Sequence, residues 1–274
     1  MNLQHRRDAA ALGVMVLAVV VSAVALPAVV SGEPANQVDV AHLPGEGGAL
    51  ATPTSDLWTD VEATVVPLSS APSGLPNAKN TATDAVTVRA ATTEERLYVR
   101  MHWSDATNNS STNAPTAFAD AVAMQVPVDP STHPPIALGS VNTPVNVWYW
   151  NAAEGPEQIL AGGQGSITHM DTNIRVAAVH REGAWTVVMH RSLVSDARNH
   201  TTFTLERDVD VAFAVWNGAN GERSGHHAVS TWFTYPFGPQ PTGPWYQYLL
   251  WAVAGVAIVV AVLVTATAIR RTNQ

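Results

Sequence analysis

Arg96-Leu97-Tyr98-Val99-Arg100-Met101-His102-Trp103 decides how the chain reads. Leu97, Val99, Met101 and Trp103 fall on alternate positions, so a strand here turns them all to one face. The same period recurs over 85–90, 120–126, 145–150, 174–179, 184–189, 209–216 and 228–234, between turn-forming residues. Strands at this spacing, with no amphipathic helix among them and no internal repeat, predict an all-β fold, a β-sandwich over 56–237. Many of these strands carry tryptophan: Trp103, Trp148, Trp150, Trp185, Trp216 and Trp232. Such residues fill sandwich cores, and several together can also wall a cofactor pocket or a sugar-binding face.

Outward from this block the chain changes character. Residues 31–55 are rich in Gly, Pro and small side chains and are expected as a linker. Before them, His5-Arg6-Arg7 precedes an apolar run to about residue 30, the pattern of a signal peptide or signal anchor over 1–30. The small residues around Ala25-Leu26-Pro27-Ala28 favour cleavage. The residues around Arg6-Arg7 match a twin-arginine signal poorly. After the sandwich, prolines at 239, 241 and 244 mark a stiff spacer over 238–245. The run 246–269 carries no charge and is long enough to span a bilayer core of ~30 Å as a single transmembrane helix. Trp245, Tyr246, Tyr248 and Trp251 stand at its start and Arg270-Arg271 at its end. That asymmetry puts the tail 270–274 in the cytoplasm and the sandwich outside it, an ectodomain on a cell-membrane anchor. Sequons at Asn108, Asn109 and Asn199 agree with that side but add little.

The formal net charge is −8, and Lys79 is the only lysine. An acidic surface argues against nucleic acid and anionic lipid headgroups as partners. Acidity with lysine replaced by arginine fits a salt-adapted, GC-rich organism, since salt screens the mutual repulsion of surface carboxylates. The chain has no cysteine. This excludes disulfides, thiolate-held iron–sulfur clusters, covalently attached c-type haem and blue copper. Neither a G-x-S-x-G elbow nor an H-E-x-x-H motif is present, so hydrolase chemistry fits poorly.

The stretches 97–105, 118–127, 145–150, 185–193, 213–218 and 221–232 together carry a resemblance. In that order, over Trp58 to Trp232, the chain resembles the haem b-binding γ subunit of ethylbenzene dehydrogenase. Its relatives serve dimethylsulfide dehydrogenase, selenate reductase and chlorate reductase. The resemblance implies a sandwich that clamps one haem b and does no substrate chemistry. Its partners are then the iron–sulfur and molybdopterin subunits of an oxidoreductase. Members of that family are soluble, so a membrane anchor is a departure.

A second departure lies at the iron. The family's ligands are a methionine in a Met-Gly step and a lysine. The first aligns with Leu138-Gly139 and the second with His227. Leucine cannot ligate iron, so the pair does not carry across. Imidazole is a good haem ligand, which makes His227, beside His226, the candidate on one side. For the other side His133, in a loop before Gly139, and Met124 are candidates, with His102 and His169 also available. Met124 alternates with Val122 and Val126, a pattern that favours the core. Arg191 and Arg223 are candidates to pair with haem propionates, against an ordinary role in surface ion pairs. Trp148 is the candidate aromatic wall. The competing reading is a haem-free extracytoplasmic module of the same architecture that binds a ligand or a carbohydrate; loss of the Met-Gly ligand favours it.

Overall fold

The computed structural model describes residues 36–237 and, beyond them, helical positions 254, 255, 257, 258, 267, 269 and 271. The N-terminal signal region, the spacer and most of the 246–269 run lie outside the described residues. Among the described residues no helix is long and apolar enough to cross a membrane.

Among the described residues fourteen strands form two sheets. The six-stranded sheet runs β1 (Val40–His42), β4 (Ala85–Thr92), β5 (Arg96–Ser104), β11 (Ala184–Ser192), β10 (Arg175–Arg181), with β2 (Thr64–Pro67) also on β4. The eight-stranded sheet runs β3 (Ser69–Ser70), β13 (Ala228–Val229), β12 (Val209–Trp216), β6 (Ala121–Pro127), β7 (Val145–Asn151), β8 (Gly155–Ala161), β9 (Ile167–Met170). There β14 (Phe233–Tyr235) pairs with β12 as well. Only β1 on β4 is parallel among these pairings.

The expected 228–234 strand is divided into β13 and β14. The stretch expected as a linker contributes, from Asn36 onward, β1 and a one-turn helix α1 (Gly47–Leu50). Leu50 and Trp58 pack there with Tyr98 and Val188 on the outer face of the smaller sheet. Gly and Pro mark turns in sequence, but here the turns lie against an apolar face that needs cover.

The two sheets close on one core. Val99, Met101, Trp103, Val187 and Met189 meet Val122, Met124, Trp148, Val211, Phe213 and Val215. All are shielded from solvent, and burial of each large apolar side chain favours folding by roughly 1.5–3 kcal/mol. The alternation in β12 and β6 then turns Ala212, Ala214, Trp216, Ala123 and Gln125 to the opposite face. Yet every residue of β6 is buried. The outer face of the larger sheet is therefore covered too, which a half-exposed antiparallel strand would not show.

Candidate functional site

What covers that face encloses a cavity of about 400 Å³, within the size range of small-molecule and cofactor pockets. Its floor follows from the register. Ala214 pairs with Ala123, Ala212 with Gln125, and Gln125 with Val147. Three alanines on adjacent positions leave a shallow, flat, apolar depression. The cover comes from 71–73 after β3, 136–138 between β6 and β7, the β8–β9 turn at 164–167, and 224–227 before β13. These pieces are tied together by hydrogen bonds. Gln164 Nε2 donates to the Pro72 carbonyl (2.9 Å), the Gly163 amide to the Leu138 carbonyl (2.8 Å), and Gln125 Nε2 to the Ile136 carbonyl (2.8 Å). Trp232 Nε1 holds the Pro134 carbonyl at 3.0 Å.

Two buried carboxylates build the loop that brings His227 to this cavity. Asp120 accepts the amides of Asn109 (2.7 Å) and Gly218 (2.8 Å) and Trp185 Nε1 (3.0 Å). Burial still raises its pKa, against these hydrogen bonds. Glu222 accepts the amides of Ala82 (2.7 Å) and Asn217 (3.0 Å) and Asn220 Nδ2 (2.9 Å). Asn217 caps the turn Gly218–Asn220, and Gly221 closes it in the left-handed region at φ 69°. The chain then folds back through a bridge between Arg223 and His226.

The two histidines are sorted by their hydrogen bonds. His226 Nε2 contacts the Asn80 carbonyl at 2.8 Å, away from the cavity lining. His227 lines the cavity, with Nδ1 2.8 Å from the Ser224 carbonyl. A carbonyl only accepts, so Nδ1 carries the proton and Nε2 keeps its lone pair. Burial, with a smaller push from His226, lowers the His227 pKa to about 4 against the pull of Ser224. The ring is neutral at physiological pH, the state in which imidazole binds a metal.

Leu138 lines the same cavity from a different loop. Leu138 and Gly139 both sit in the left-handed region, at φ 65° and 68°. A side chain at Gly139 would bring its Cβ to 2.6 Å from the Thr143 carbonyl, so glycine is required there. The left-handed pair aims the chain so that residue 138 borders the cavity.

The other residues singled out in sequence lie elsewhere. Met124 is on the inner face of β6, in the core, where Tyr235 Oη donates to its sulfur at 3.3 Å. It therefore cannot share a ligand with His227 across the sheet. His133 is 86% exposed and bonded to Asp210 at 2.7 Å. Trp148 is a core residue, edge-on to Phe203, with the Arg191 guanidinium 5.2 Å above its ring. Arg191 itself is buried, donating to the carbonyls of Ser192 and Thr201, with no carboxylate partner in any recorded ion pair among the described residues. Arg223 is exposed and stacked on Phe118 at 4.3 Å, one residue before the cavity-lining Ser224. The tryptophans at 103, 148, 150 and 185 fill the core, while Trp216 faces the cavity. The alanine floor was missed, though its signal was present: small residues alternating with Val and Phe on two strands.

Fold and site thus define a class, a β-sandwich with an apolar cavity on the outer face of its larger sheet, bordered among the described residues by one neutral histidine. The chain belongs to the ethylbenzene dehydrogenase family, whose profile matches residues 55–172 and 156–228. It is 47% identical to a protein of Haloferax mediterranei provisionally named a respiratory nitrate reductase heme subunit, ORF7, over 98% of this chain and 97% of that one. It is 32% identical to the chlorate reductase subunit gamma of Ideonella dechloratans, over 67% of this chain and 78% of that one. With the dimethylsulfide dehydrogenase subunit gamma of Rhodovulum sulfidophilum it shares 36% identity over 52% of this chain and 56% of the other. These names agree with the expectation of a subunit that does no substrate chemistry of its own.

Proposed function

We propose that this chain is a b-type cytochrome subunit that passes electrons to or from a molybdenum oxidoreductase, reaching its molybdopterin subunit by way of an iron–sulfur subunit. We read it as held at the outer face of the cell membrane by the uncharged run 246–269. The observation that carries the reading is His227, neutral, with Nε2 unprotonated, bordering an apolar cavity. The heme named for the Haloferax relative supports the cofactor, and the oxidoreductase names of all three relatives support the partners.

The residues present fit a haem. His227 Nε2 would ligate the iron, the floor of Ala123, Ala212 and Ala214 would admit a flat ring, and Arg223 at the neighbouring turn would meet a propionate. A bound haem supplies one-electron transfer through its iron. The chain's residues do the rest. Ser224 holds the imidazole tautomer, and Trp216 stacks on the ring. The apolar walls exclude water and lower the local dielectric, which tunes a redox potential. An apolar lining of this kind suits a porphyrin better than a sugar, which needs many polar partners.

The test is the full-length protein, purified in detergent and assayed by pyridine haemochrome. One non-covalent haem b per chain, reversibly reduced, is expected. A colourless protein that takes up no added haemin would overturn the reading.

A further inference from the structure

We infer that the haem iron in this chain has one protein ligand only, and that its second axial position is open to a small exogenous molecule. The inference rests on the haem reading above and concerns what faces the iron opposite His227.

Haem iron takes axial ligands from imidazole, thioether, amine, thiolate or phenolate. Of these, His227 alone among the described residues borders the cavity. The methionines at 101, 124 and 189 are sealed in the core between the sheets. Met170 accepts a hydrogen bond from Asn146, whose side chain is also on the inner side of β7. His133 and His169 sit on the surface, paired with Asp210 and Glu157. The polar groups that do line the cavity belong to Gln125, Gln164 and two serines, hard oxygens that compete poorly for ferrous iron. Both glutamines are committed through their amide nitrogens to tying down the cover.

Leu138 borders the cavity with an apolar side chain, from a different loop than His227. Its backbone is held by three hydrogen bonds around it: its own amide to Ile136, the Gly139 amide to Pro135, and the Gly163 amide to its carbonyl. The loop is thus fixed with an apolar side chain at the cavity, and the strain of a left-handed leucine is retained for it. An apolar wall facing an iron with one imidazole is the arrangement that lets a diatomic molecule or water occupy the remaining position.

The experiment is spectroscopic and uses the full chain in detergent with haem bound. The ferric protein is expected to show a high-spin signal, and the dithionite-reduced protein to bind carbon monoxide stoichiometrically with a shifted Soret band. Leu138→Met places a thioether at the cavity. It is expected to convert the reduced haem to a low-spin, six-coordinate form and to weaken carbon monoxide binding by an order of magnitude or more. A haem-loaded wild-type protein that is low-spin when reduced and refuses carbon monoxide overturns this inference alone. A protein that holds no haem overturns the haem reading with it.

Discussion

The imidazole of His227 is stacked on the indole of Trp216, with ring centroids 4.4 Å apart and planes inclined by 26°. Trp216 is the last residue of β12, and its own Nε1 donates to the carbonyl of Ser224 (3.2 Å), the same carbonyl that accepts the hydrogen bond from His227 Nδ1. Strand, turn and ring are locked by one oxygen atom. Trp216→Ala removes a stacking contact of about 0.5–1.5 kcal/mol. Haemin titration should therefore show affinity lowered by roughly tenfold at most, whereas His227→Ala should lose haem almost completely. Equal losses in the two variants would mean that the ring is not a ligand.

Acid should destabilise the apoprotein over a defined window. His227 and His190 both have folded pKa values lowered to about 4, by burial first; His190 is further disfavoured as a cation by Arg96 and Arg175. In the unfolded chain each titrates near 6.5. A depressed folded pKa gives stability that is complete above the unfolded value and is lost as pH falls toward the folded one. Melting temperature should be steady above pH about 6.5 and fall between there and about 4. His190→Gln should flatten part of that slope. A wild-type melting temperature independent of pH across this window would contradict the assignment.

Gly218 admits no side chain. A Cβ there would stand 1.9 Å from the Phe118 carbonyl, which is backbone and cannot swing aside. Gly218→Ala should destabilise the sandwich by about 3 kcal/mol or more. Chemical denaturation checks it; a loss under about 1 kcal/mol would show that the two segments part easily.

Asp120 holds the same junction from the other side. Asp120→Ala would strand the Asn109 and Gly218 amides and Trp185 Nε1, each costing about 1–3 kcal/mol when left unpaired. The expected result is a severe loss of stability, seen as poor expression or a much lowered denaturation midpoint, together with loosening of the 217–227 loop. Native-like amide exchange protection in that loop would count against the role given to Asp120.

The alternation of Leu97, Val99, Met101 and Trp103 revealed the long strands because each has one face in the core. β8 and β9 were not foreseen: β8 is only partly buried and β9 is mostly exposed, so neither imposes a strong period. His227 could be chosen over His226 only by position in the family pattern. The hydrogen bonds that distinguish them run to Asn80 and Ser224, contacts that neighbouring letters do not encode. Arg191 looked like a surface or propionate partner because arginine is usually exposed. Here it crosses the core to carbonyl oxygens and stacks over Trp148 and Phe203. The tryptophans suggested the wall of a pocket, but of these only Trp216 lines the cavity, while those at 103, 148, 150 and 185 fill the core. The pocket lies where the side chains are smallest.

The location of the haem can be read by filling that floor. Ala214→Phe adds a ring to the outer face of β12 and leaves the core between the sheets untouched. Pyridine haemochrome measured on the folded variant, with circular dichroism to confirm the sheet, should find haem close to absent. A folded Ala214→Phe protein carrying as much haem as wild type would contradict the account.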